Sequence, residues 1–261
     1  MAVYAISDIH GCYDEFLDVL SRASFSPSDE LYILGDVVDR GPKVAETIQW
    51  LVDHDANGEN SNVHFLLGNH EQMMSWSFDG RWRDLTLDMD AASMWLGNGG
   101  HETIGQMALM QKDDIDKFQD IVEAAPHDAA IRIGSPDAPL VVLSHAGLAP
   151  PEDKKDIADE QAWFEQGMAD LIWNGMQWYT SKAFPPFQSI SGHVPTCVLA
   201  NLDAPIPGCT AETLVDGLYN RIMRWDNKCD IDCGCCFGGT MGLLRLDDWE
   251  AFYAPSHQAA W

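Results

Sequence analysis

The sequence predicts an α/β protein, and three of its features indicate that class. Apolar runs alternate with helical patterns through the first 70 residues, as in a strand-helix-strand series. A mostly helical region without a convincing strand follows over residues 71–125, and short apolar runs punctuated by Gly and Pro fill the C-terminal part. No linker is long enough to separate two domains, so we expect residues 1–261 to form one domain with a helical insertion at roughly 71–125.

The early elements are marked by the spacing of their apolar residues. Residues 2–7, 31–34 and 62–67 are apolar runs of strand length, whereas residues 14–22 and 44–52 carry helical patterns. Each of the three runs ends at a short polar cluster, the position where open α/β sheets place their ligand sites. The first helix is expected to align its apolar side chains on one stripe, formed by Phe16, Leu17, Val19 and Leu20.

The later elements are predicted to be a β-hairpin, a helix and a β-rich C-terminal part. The hairpin joins residues 129–133 to 140–143 through Gly134-Ser135-Pro136-Asp137, whose residue types favour a turn. A helical pattern covers residues 157–173. Short apolar runs follow at residues 189–191, 197–200, 230–231, 240–246 and 251–253.

The charge balance excludes some classes of partner. The chain has 15 basic and 41 acidic residues, and its formal net charge of −26 argues against nucleic acid as a ligand because a phosphate backbone would be repelled. No stretch approaches about 18 consecutive apolar residues, and the N-terminus lacks the basic segment of a secretory signal. We therefore expect a cytoplasmic protein without a membrane segment.

The seven cysteines are expected to be thiols in that compartment. Four of them lie between Cys229 and Cys236, but their spacing does not match two Cys-x-x-Cys knuckles. We expect this cluster to pack in the interior rather than to bind zinc.

Five polar clusters end apolar runs, and each contributes at least one side chain of metal-binding type. Imidazole suits transition metals, whereas carboxylate or amide oxygen suits harder ions such as Mn²⁺, so a mixed set fits Mn, Fe or Zn. One carboxylate shared by two ions would hold them about 3.5–4 Å apart, as in two-metal hydrolases. The clusters are Asp8-x-His10, Gly35-Asp36-x-x-Asp39-Arg40-Gly41, Gly68-Asn69-His70-Glu71, Ser144-His145-Ala146-Gly147 and Gly192-His193.

In this order the clusters resemble the PPP-type, or calcineurin-like, metallophosphoesterases, which include Ser/Thr protein phosphatases and bacterial diadenosine tetraphosphatases. The match runs the whole length of the chain and includes Ile231-Asp232-Cys233-Gly234 and Phe237-Gly238-Gly239 near its end. The resemblance implies a β-sandwich of mixed sheets flanked by helices. It also implies two bound divalent ions, for which Mn²⁺ is our first expectation and Fe or Zn are alternatives.

The resemblance also implies a role for each site residue. His70 would protonate the leaving oxygen, Asp39 would hold the imidazole in the required tautomer, and Arg40 would bind phosphoryl oxygens through its planar fork. A water between the two ions would have a lowered pKa and would attack phosphorus in line. The first ion would be held by Asp8, His10 and Asp36, and the second by Asp36, Asn69, His145 and His193, with Asp36 bridging.

One departure from the family pattern concerns phosphate-binding arginines. Many members carry a second one between the Ser-His-Ala-Gly and Gly-His motifs, but this chain has no Arg between Arg132 and Arg221. Either Arg81 or Arg83 supplies the second contact to the phosphate, or this protein binds its substrate more weakly.

The resulting hypothesis is a metal-dependent phosphohydrolase, first of all a phosphomonoesterase acting on phosphoprotein or on small phosphorylated compounds. A hydrolase of dinucleoside polyphosphates such as diadenosine tetraphosphate uses the same metal core and stays open. A non-catalytic module that binds phosphorylated partners is less favoured, because binding alone needs no proton donor such as His70. Six tryptophans fall mostly in helical portions and are expected mainly in the core, with one or two of them lining the substrate cleft: Trp76, Trp82, Trp95, Trp163, Trp173 and Trp178.

Overall fold

Two five-stranded sheets lie at the centre of the molecule. The computed structural model describes residues 1–152, 154–200 and 220–259. Within these residues the strands are β1 (Val3–Ile6), β2 (Glu30–Ile33), β3 (Val63–Phe65), β4 (Asp128–Arg132), β5 (Leu140–Ser144), β6 (Gln188–Ser191), β7 (Met223–Trp225), β8 (Lys228–Asp230), β9 (Thr240–Arg245) and β10 (Ala251–Pro255).

Both sheets are mixed. The first has the strand order β10-β9-β1-β2-β3, in which β1, β2 and β3 run parallel and β9 pairs antiparallel with both β1 and β10. The second has the order β4-β5-β6-β8-β7, with parallel β5, β6 and β8 and an antiparallel strand at each edge. The predicted hairpin is the β4–β5 pair. The expected β-sandwich of mixed sheets is confirmed.

The sheets pack against each other through side chains that alternate along the strands. In β1, Ala5 belongs to the cluster between the sheets, whereas Tyr4 and Ile6 belong to the cluster on the opposite face. Because both faces are covered, β1 and β5 appear in the sequence as continuous apolar runs. The cluster between the sheets contains Ala5, Leu34, Leu66, Val141, Leu143, Ile190, Cys229, Ile231, Leu244 and Leu246.

Helices pack against the outer faces of the sheets. The first helix buries Phe16, Val19 and Leu20 of its predicted stripe, while Leu17 at the edge of that stripe is partly exposed. No helix among the described residues is long and apolar enough to cross a membrane. The helices are α1 (Tyr13–Arg22), α2 (Val44–Asp53), α3 (Asn69–Phe78), α4 (Met89–Trp95), α5 (His101–Met107), α6 (Lys112–Ala124), α7 (Met168–Trp173), α8 (Met176–Thr180) and α9 (Thr196–Ala200).

Two predicted elements were wrong. Residues 197–200, predicted as a strand, lie in α9, because a run of four apolar residues has no period that separates strand from helix and Pro195 starts a turn of helix there. The predicted helix over residues 157–173 is broken into two 3-10 turns, Lys154–Ala158 and Gln161–Trp163, and α7. Gly167 forms the N-cap of α7 and separates it from the preceding turn.

Two short elements, β7 and α8, were not predicted, because three and five residues are too few to show a period. The prediction that residues 1–261 form one domain stays a prediction, because residue 153 and residues 201–219 and 260–261 lie outside the described part.

Candidate metal centre

The polar clusters meet at one edge of the two sheets. β1, β2 and β3 run parallel, so the residues that follow them, including Asp8 and Asp36, emerge at the same edge of the first sheet. In the second sheet β5 and β6 also run parallel, so His145 and His193, which follow these strands, lie at the same edge of that sheet. Two hydrogen bonds join these edges: the His193 backbone N–H donates to Asp8 Oδ2 at 2.9 Å, and His145 Nδ1 donates to the Leu34 carbonyl at 2.7 Å.

The loops of the site hold an unusual backbone conformation. Side chains disfavour the left-handed region, at a cost on the order of 1–3 kcal/mol each, and such strain persists only where the surrounding structure enforces it. Gly41 allows one close approach, because a Cβ there would lie 2.0 Å from the His10 carbonyl oxygen. The non-glycine residues of the site with positive φ are Asp8 (52°), His10 (45°), Asp36 (55°), Asp39 (71°), Arg40 (68°) and His193 (76°).

Asp36 lies at the centre of the site. Its Oδ2 is 3.6 Å from His10 Nε2 on one side and 3.4 Å from His145 Nε2 on the other. It also belongs to two groups whose metal-type donor atoms lie within 4.8 Å of one another: His10, Asp36 and His70, and Asp36, His145 and His193. One carboxylate is thus placed to serve two ions.

Electron-pair donors converge around the second group. His145 gives its Nδ1 proton to the Leu34 carbonyl, which leaves Nε2 with a free electron pair when the ring is neutral. That Nε2 lies 2.8 Å from Asn69 Oδ1 and 3.1 Å from His193 Nδ1, and Asn69 Oδ1 is 3.0 Å from His193 Nδ1. Together with Asp36 Oδ2 these are four electron-pair donor atoms, and two neutral rings supply at most one proton to them. A cation among them would offset the repulsion between the electron pairs that this proton leaves unpaired. The residues present therefore fit a metal ion.

His10 lies on the other side of Asp36, and its ring is held through Nδ1 as the ring of His145 is. Its Nδ1 donates to the Val38 carbonyl at 2.7 Å, so its Nε2 carries an electron pair, which lies near Asp36 and accepts a hydrogen bond from Arg40 in this structure. Asp8 Oδ1 lies 3.9 Å from this Nε2. An imidazole anchored through its second nitrogen is the usual form of a histidine metal ligand.

Burial shifts the titration of the central groups. It lowers the pKa of His10, with the charge of Arg40 as the next cause, and it lowers the pKa of His193, with His145 as the next cause. Burial also raises the pKa of Asp36 well above its ordinary value. Neutral imidazole is the form that binds a metal, so the two histidine shifts favour cation binding. The Asp36 carboxyl must lose its proton to bind, and a cation beside it would stabilise the buried carboxylate that burial alone disfavours.

His70, Asp39 and Arg40 form a second functional group beside the donors. His70 Nδ1 donates to Asp39 Oδ2 at 2.5 Å. Arg40 has only N–H donors, and these contact His10 Nε2 at 2.6 Å and His70 Nε2 at 2.9 Å. The Arg40 guanidinium also lies 5.1 Å above the centre of the Phe237 ring. The structure thus brings all nine predicted site residues together, while their roles stay predictions.

Two residues of the helical region hold Asp39 and were not predicted. Trp95 Nε1 donates to both Asp39 carboxylate oxygens at 3.0 Å, and Thr103 Oγ1 donates to Asp39 Oδ1 at 2.5 Å. The only signal in the sequence is that these residues flank the Asn98-Gly99-Gly100 loop.

Glu71 was noticed in its motif but was given no role. Its buried carboxylate accepts hydrogen bonds from four backbone N–H groups and so ties the loop after β2 to the start of α3. Burial raises its pKa, although these hydrogen bonds act in the opposite direction. The four donors are Asp36, Val37, Val38 and Gly68.

Arg83 and Arg81, the two candidates for a second phosphate-binding arginine, do not contact the predicted site histidines in this structure, and that role stays a prediction. Arg83 lies in a surface ion pair. Its guanidinium pairs with Asp113, at 3.2 Å, and with Asp116, both on α6. Arg81 follows the C-terminal end of α3, whereas the donors lie at the N-terminal end, about 15 Å away along ten residues of helix. In the part of the chain that the structure describes, the arginine in contact with the predicted site histidines is Arg40.

Comparison with known proteins identifies the class. Residues 1–197 match the model of the calcineurin-like phosphoesterase family, and the chain therefore belongs to that family. The prediction of a metal-dependent phosphohydrolase is confirmed at this level.

Relatives and solved structures extend over nearly the full chain. The symmetrical bis(5'-nucleosyl)-tetraphosphatase of Erwinia tasmaniensis is 26% identical over 300 residues, which cover 99% of this chain and 98% of that protein. A crystal structure of a protein assigned as a diadenosine tetraphosphatase matches with a TM-score of 0.59 at 17% identity, over 98% of this chain and 94% of that one. A protein serine/threonine phosphatase from Saccharomyces cerevisiae matches with a TM-score of 0.50 at 16% identity, over 98% and 81% respectively. The two structural matches show a shared fold.

Proposed function

We propose that this protein is a metal-dependent hydrolase of dinucleoside polyphosphates, with phosphomonoester hydrolysis as the second candidate. The observation that carries the proposal is the pair of donor groups that share Asp36, one of which includes His70, together with the hydrogen bond from His70 to Asp39. The name of the 26% identical relative, a symmetrical bis(5'-nucleosyl)-tetraphosphatase, favours the dinucleoside substrate.

The proposed metal ligands are mixed in chemistry. Two bound divalent ions would lower the pKa of a water and place positive charge against the phosphoryl oxygens. Imidazole nitrogen together with carboxylate and amide oxygen suits Mn²⁺ first, with Fe or Zn as alternatives. The ligands would be Asp8, His10 and Asp36 for one ion and Asp36, Asn69, His145 and His193 for the other.

The chain's own groups would complete the displacement. With Arg40 turned from His70 Nε2 to the phosphoryl oxygens, a proton carried on Nε2 would pass to the leaving oxygen, while Asp39 orients the ring through Nδ1. Arg40, whose guanidinium already reaches His70 Nε2, would offer its planar fork to the phosphoryl oxygens. A protein that only binds phosphorylated ligands has no use for the buried proton donor, which argues for catalysis.

A pair of tryptophans offers a place for a nucleobase. Trp76 is half exposed, and its ring lies parallel to that of Trp173 with 6.5 Å between the ring centres. Trp173 is held by its Nε1, which donates to Gln72 Oε1 at 2.6 Å. Both Gln72 and Trp76 lie on α3, which starts at Asn69, so Trp76 is about 10 Å along the helix from that proposed ligand. A purine stacked on Trp76 would leave its polyphosphate to reach the ions.

Phosphomonoester hydrolysis is the second candidate because the same groups serve it. Arg40 is the one arginine that contacts the site histidines in the described part of the chain, and a single guanidinium matches a single terminal phosphoryl group. The substrate in this case would be a phosphoprotein or a small phosphorylated compound.

Substrate profiling tests the proposal. The Mn²⁺-loaded protein is assayed against diadenosine tetraphosphate, phosphopeptides and p-nitrophenyl phosphate. We expect the highest kcat/KM on the dinucleotide, with ADP as the product of central cleavage. A higher value on phosphopeptides would support the second candidate, and metal-loaded protein that turns over none of the three would overturn both.

The exposed tryptophan provides a sharper test of the dinucleoside substrate. Base stacking on an aromatic side chain contributes about 1–3 kcal/mol, so Trp76→Ala should lower kcat/KM for diadenosine tetraphosphate roughly 5- to 150-fold. Turnover of p-nitrophenyl phosphate, which has no base, should not change. Leu109→Ala, which removes another exposed apolar side chain, is the control. Equal effects of Trp76→Ala on both substrates would contradict base stacking at this position.

A further inference from the structure

A second group of metal-type side chains lies apart from the predicted ligands. Cys12 precedes α1, Glu15 lies in its first turn, and Cys235 begins the 3-10 turn Cys235–Phe237. All three are buried, and one donor atom from each lies within 4.8 Å of the others. The spacing of the cysteines around Cys235 predicts packing rather than metal binding, and Cys12, 223 residues away along the chain, is not part of that pattern.

A fourth metal-type side chain lies beside Glu15. His257 follows β10, and its backbone N–H donates to Glu15 Oε1 at 2.8 Å. Its imidazole Nδ1 lies 3.6 Å from the same oxygen. The His257 side chain is 65% exposed, so it can reorient without disturbing the interior.

Glu15 is the member that simple packing does not explain. Its side chain is 2% exposed, and in the described part of the chain its ion-pair partner is the exposed His257 alone. A buried carboxylate is costly unless it is paired or binds a metal. The thiols of Cys12 and Cys235 do not compensate for the burial of this carboxylate, because S–H is a weak hydrogen-bond donor.

We propose that Cys12, Glu15, Cys235 and His257 form a closed zinc site. Two thiolate sulfurs, one carboxylate oxygen and one imidazole nitrogen make a four-coordinate set of the kind that Zn²⁺ takes in structural sites. With four protein ligands no coordination position is left for a substrate, so the site is structural and separate from the two catalytic ions.

The zinc site would hold two chain segments that carry or support proposed catalytic groups, one next to His10 and one under Arg40. Cys12 follows the proposed ligand His10 by two residues, and Cys235 precedes Phe237 by two. Phe237 is the ring over which the Arg40 guanidinium lies. A zinc ion here would therefore join the loop after β1, the segment beneath Arg40 and the chain after β10.

Cobalt spectroscopy tests the site independently of activity. Co²⁺ bound to thiolate gives a sulfur-to-metal charge-transfer band in the near ultraviolet, which the nitrogen and oxygen donors of the catalytic centre cannot produce. We expect this band in the Co²⁺-loaded reduced protein, a weaker band in Cys12→Ser and in Cys235→Ser, each of which keeps one thiolate, and no band when both cysteines are replaced. Cys229→Ser, a buried cysteine of the core between the sheets, should keep the band.

Two further variants keep the test decisive. Asp36→Asn should retain the band even if both catalytic ions are lost, which separates failure of this site from failure of the proposed function. His257→Ala alters an exposed ligand and should weaken Zn²⁺ binding while the two sulfurs stay bound.

The absence of the band from the folded reduced wild-type protein would overturn the proposal whatever the variants do. So would a disulfide between Cys12 and Cys235. Denatured protein purified without reductant should show seven reactive thiols after chelation, whereas that disulfide would leave five.

Discussion

His70 is the residue through which acid catalysis can be separated from metal binding. Its Nε2 lies 3.8 Å from Asp36 Oδ2, but it is not among the six proposed ligands, so His70→Asn should keep both ions. Loss of a positioned general acid reduces rates by about 10²–10⁴. We expect a loss of that order on alkyl phosphates and a much smaller one on p-nitrophenyl phosphate, because its phenolate leaves without a proton. Equal losses on both substrates, at unchanged metal content, would show that His70 is not the acid.

Asp36 is the residue on which both proposed ions depend. It is shared by the two donor groups, so Asp36→Asn should remove both ions rather than one. Metal analysis of the purified variant measures this directly. Asp230→Asn is the matched control, because Asp230 is also a buried aspartate. Burial raises the pKa of its carboxyl group, and the asparagine amide resembles the protonated form of that group. Retention of two ions by the Asp36 variant would contradict the bridging role.

The helices between α3 and β4 act on the site as positioning elements. Trp95 ends α4 and Thr103 lies in α5, and both donate to Asp39. Between these helices Gly99 has a φ of 106°, and a Cβ there would lie 2.9 Å from Arg40 Cγ. The region predicted as an insertion therefore contacts two of the three proposed catalytic residues.

Trp95→Phe tests this positioning. The substitution keeps an aromatic ring but removes the N–H that holds Asp39, so we expect kcat on alkyl phosphates to fall about tenfold or more while metal content stays constant. The loss should be smaller on p-nitrophenyl phosphate, as for His70→Asn. Trp82→Phe is the control, because Trp82 is equally buried in the same region but its Nε1 has no hydrogen-bond partner among the described residues. Indistinguishable effects of the two substitutions would indicate packing alone.

At the scale of the whole molecule, the formal charge of −26 opposes the folded state through self-repulsion. The Debye length falls from about 30 Å at 0.01 M salt to about 10 Å at 0.1 M, so monovalent salt should screen this repulsion. We expect the urea midpoint of the metal-loaded protein to rise as KCl increases over that range. A second monovalent chloride should act equally if screening is the cause. An unchanged or falling midpoint would show that the acidic groups do not oppose folding.

The sequence by itself determined the elements around the site and the residues that fill it. Strands β1, β2 and β3 and helices α1 and α2 are visible because apolar spacing is a local property of the chain. Asp8, Asp36 and Asn69 could be placed at the ends of such elements, and residues at the ends of parallel strands must share one edge. The family resemblance then assigned their expected roles.

Only the tertiary structure decided which distant side chains meet. Trp95 lies 56 residues from Asp39, and Cys12 lies 223 from Cys235, so no local pattern links either pair. These contacts depend on how helices and sheets pack, which the spacing of apolar residues does not specify. The same limit explains α9, because four apolar residues fit a strand or a helix equally well until neighbouring elements select one. Local periodicity therefore determined the elements, and long-range packing determined their partners.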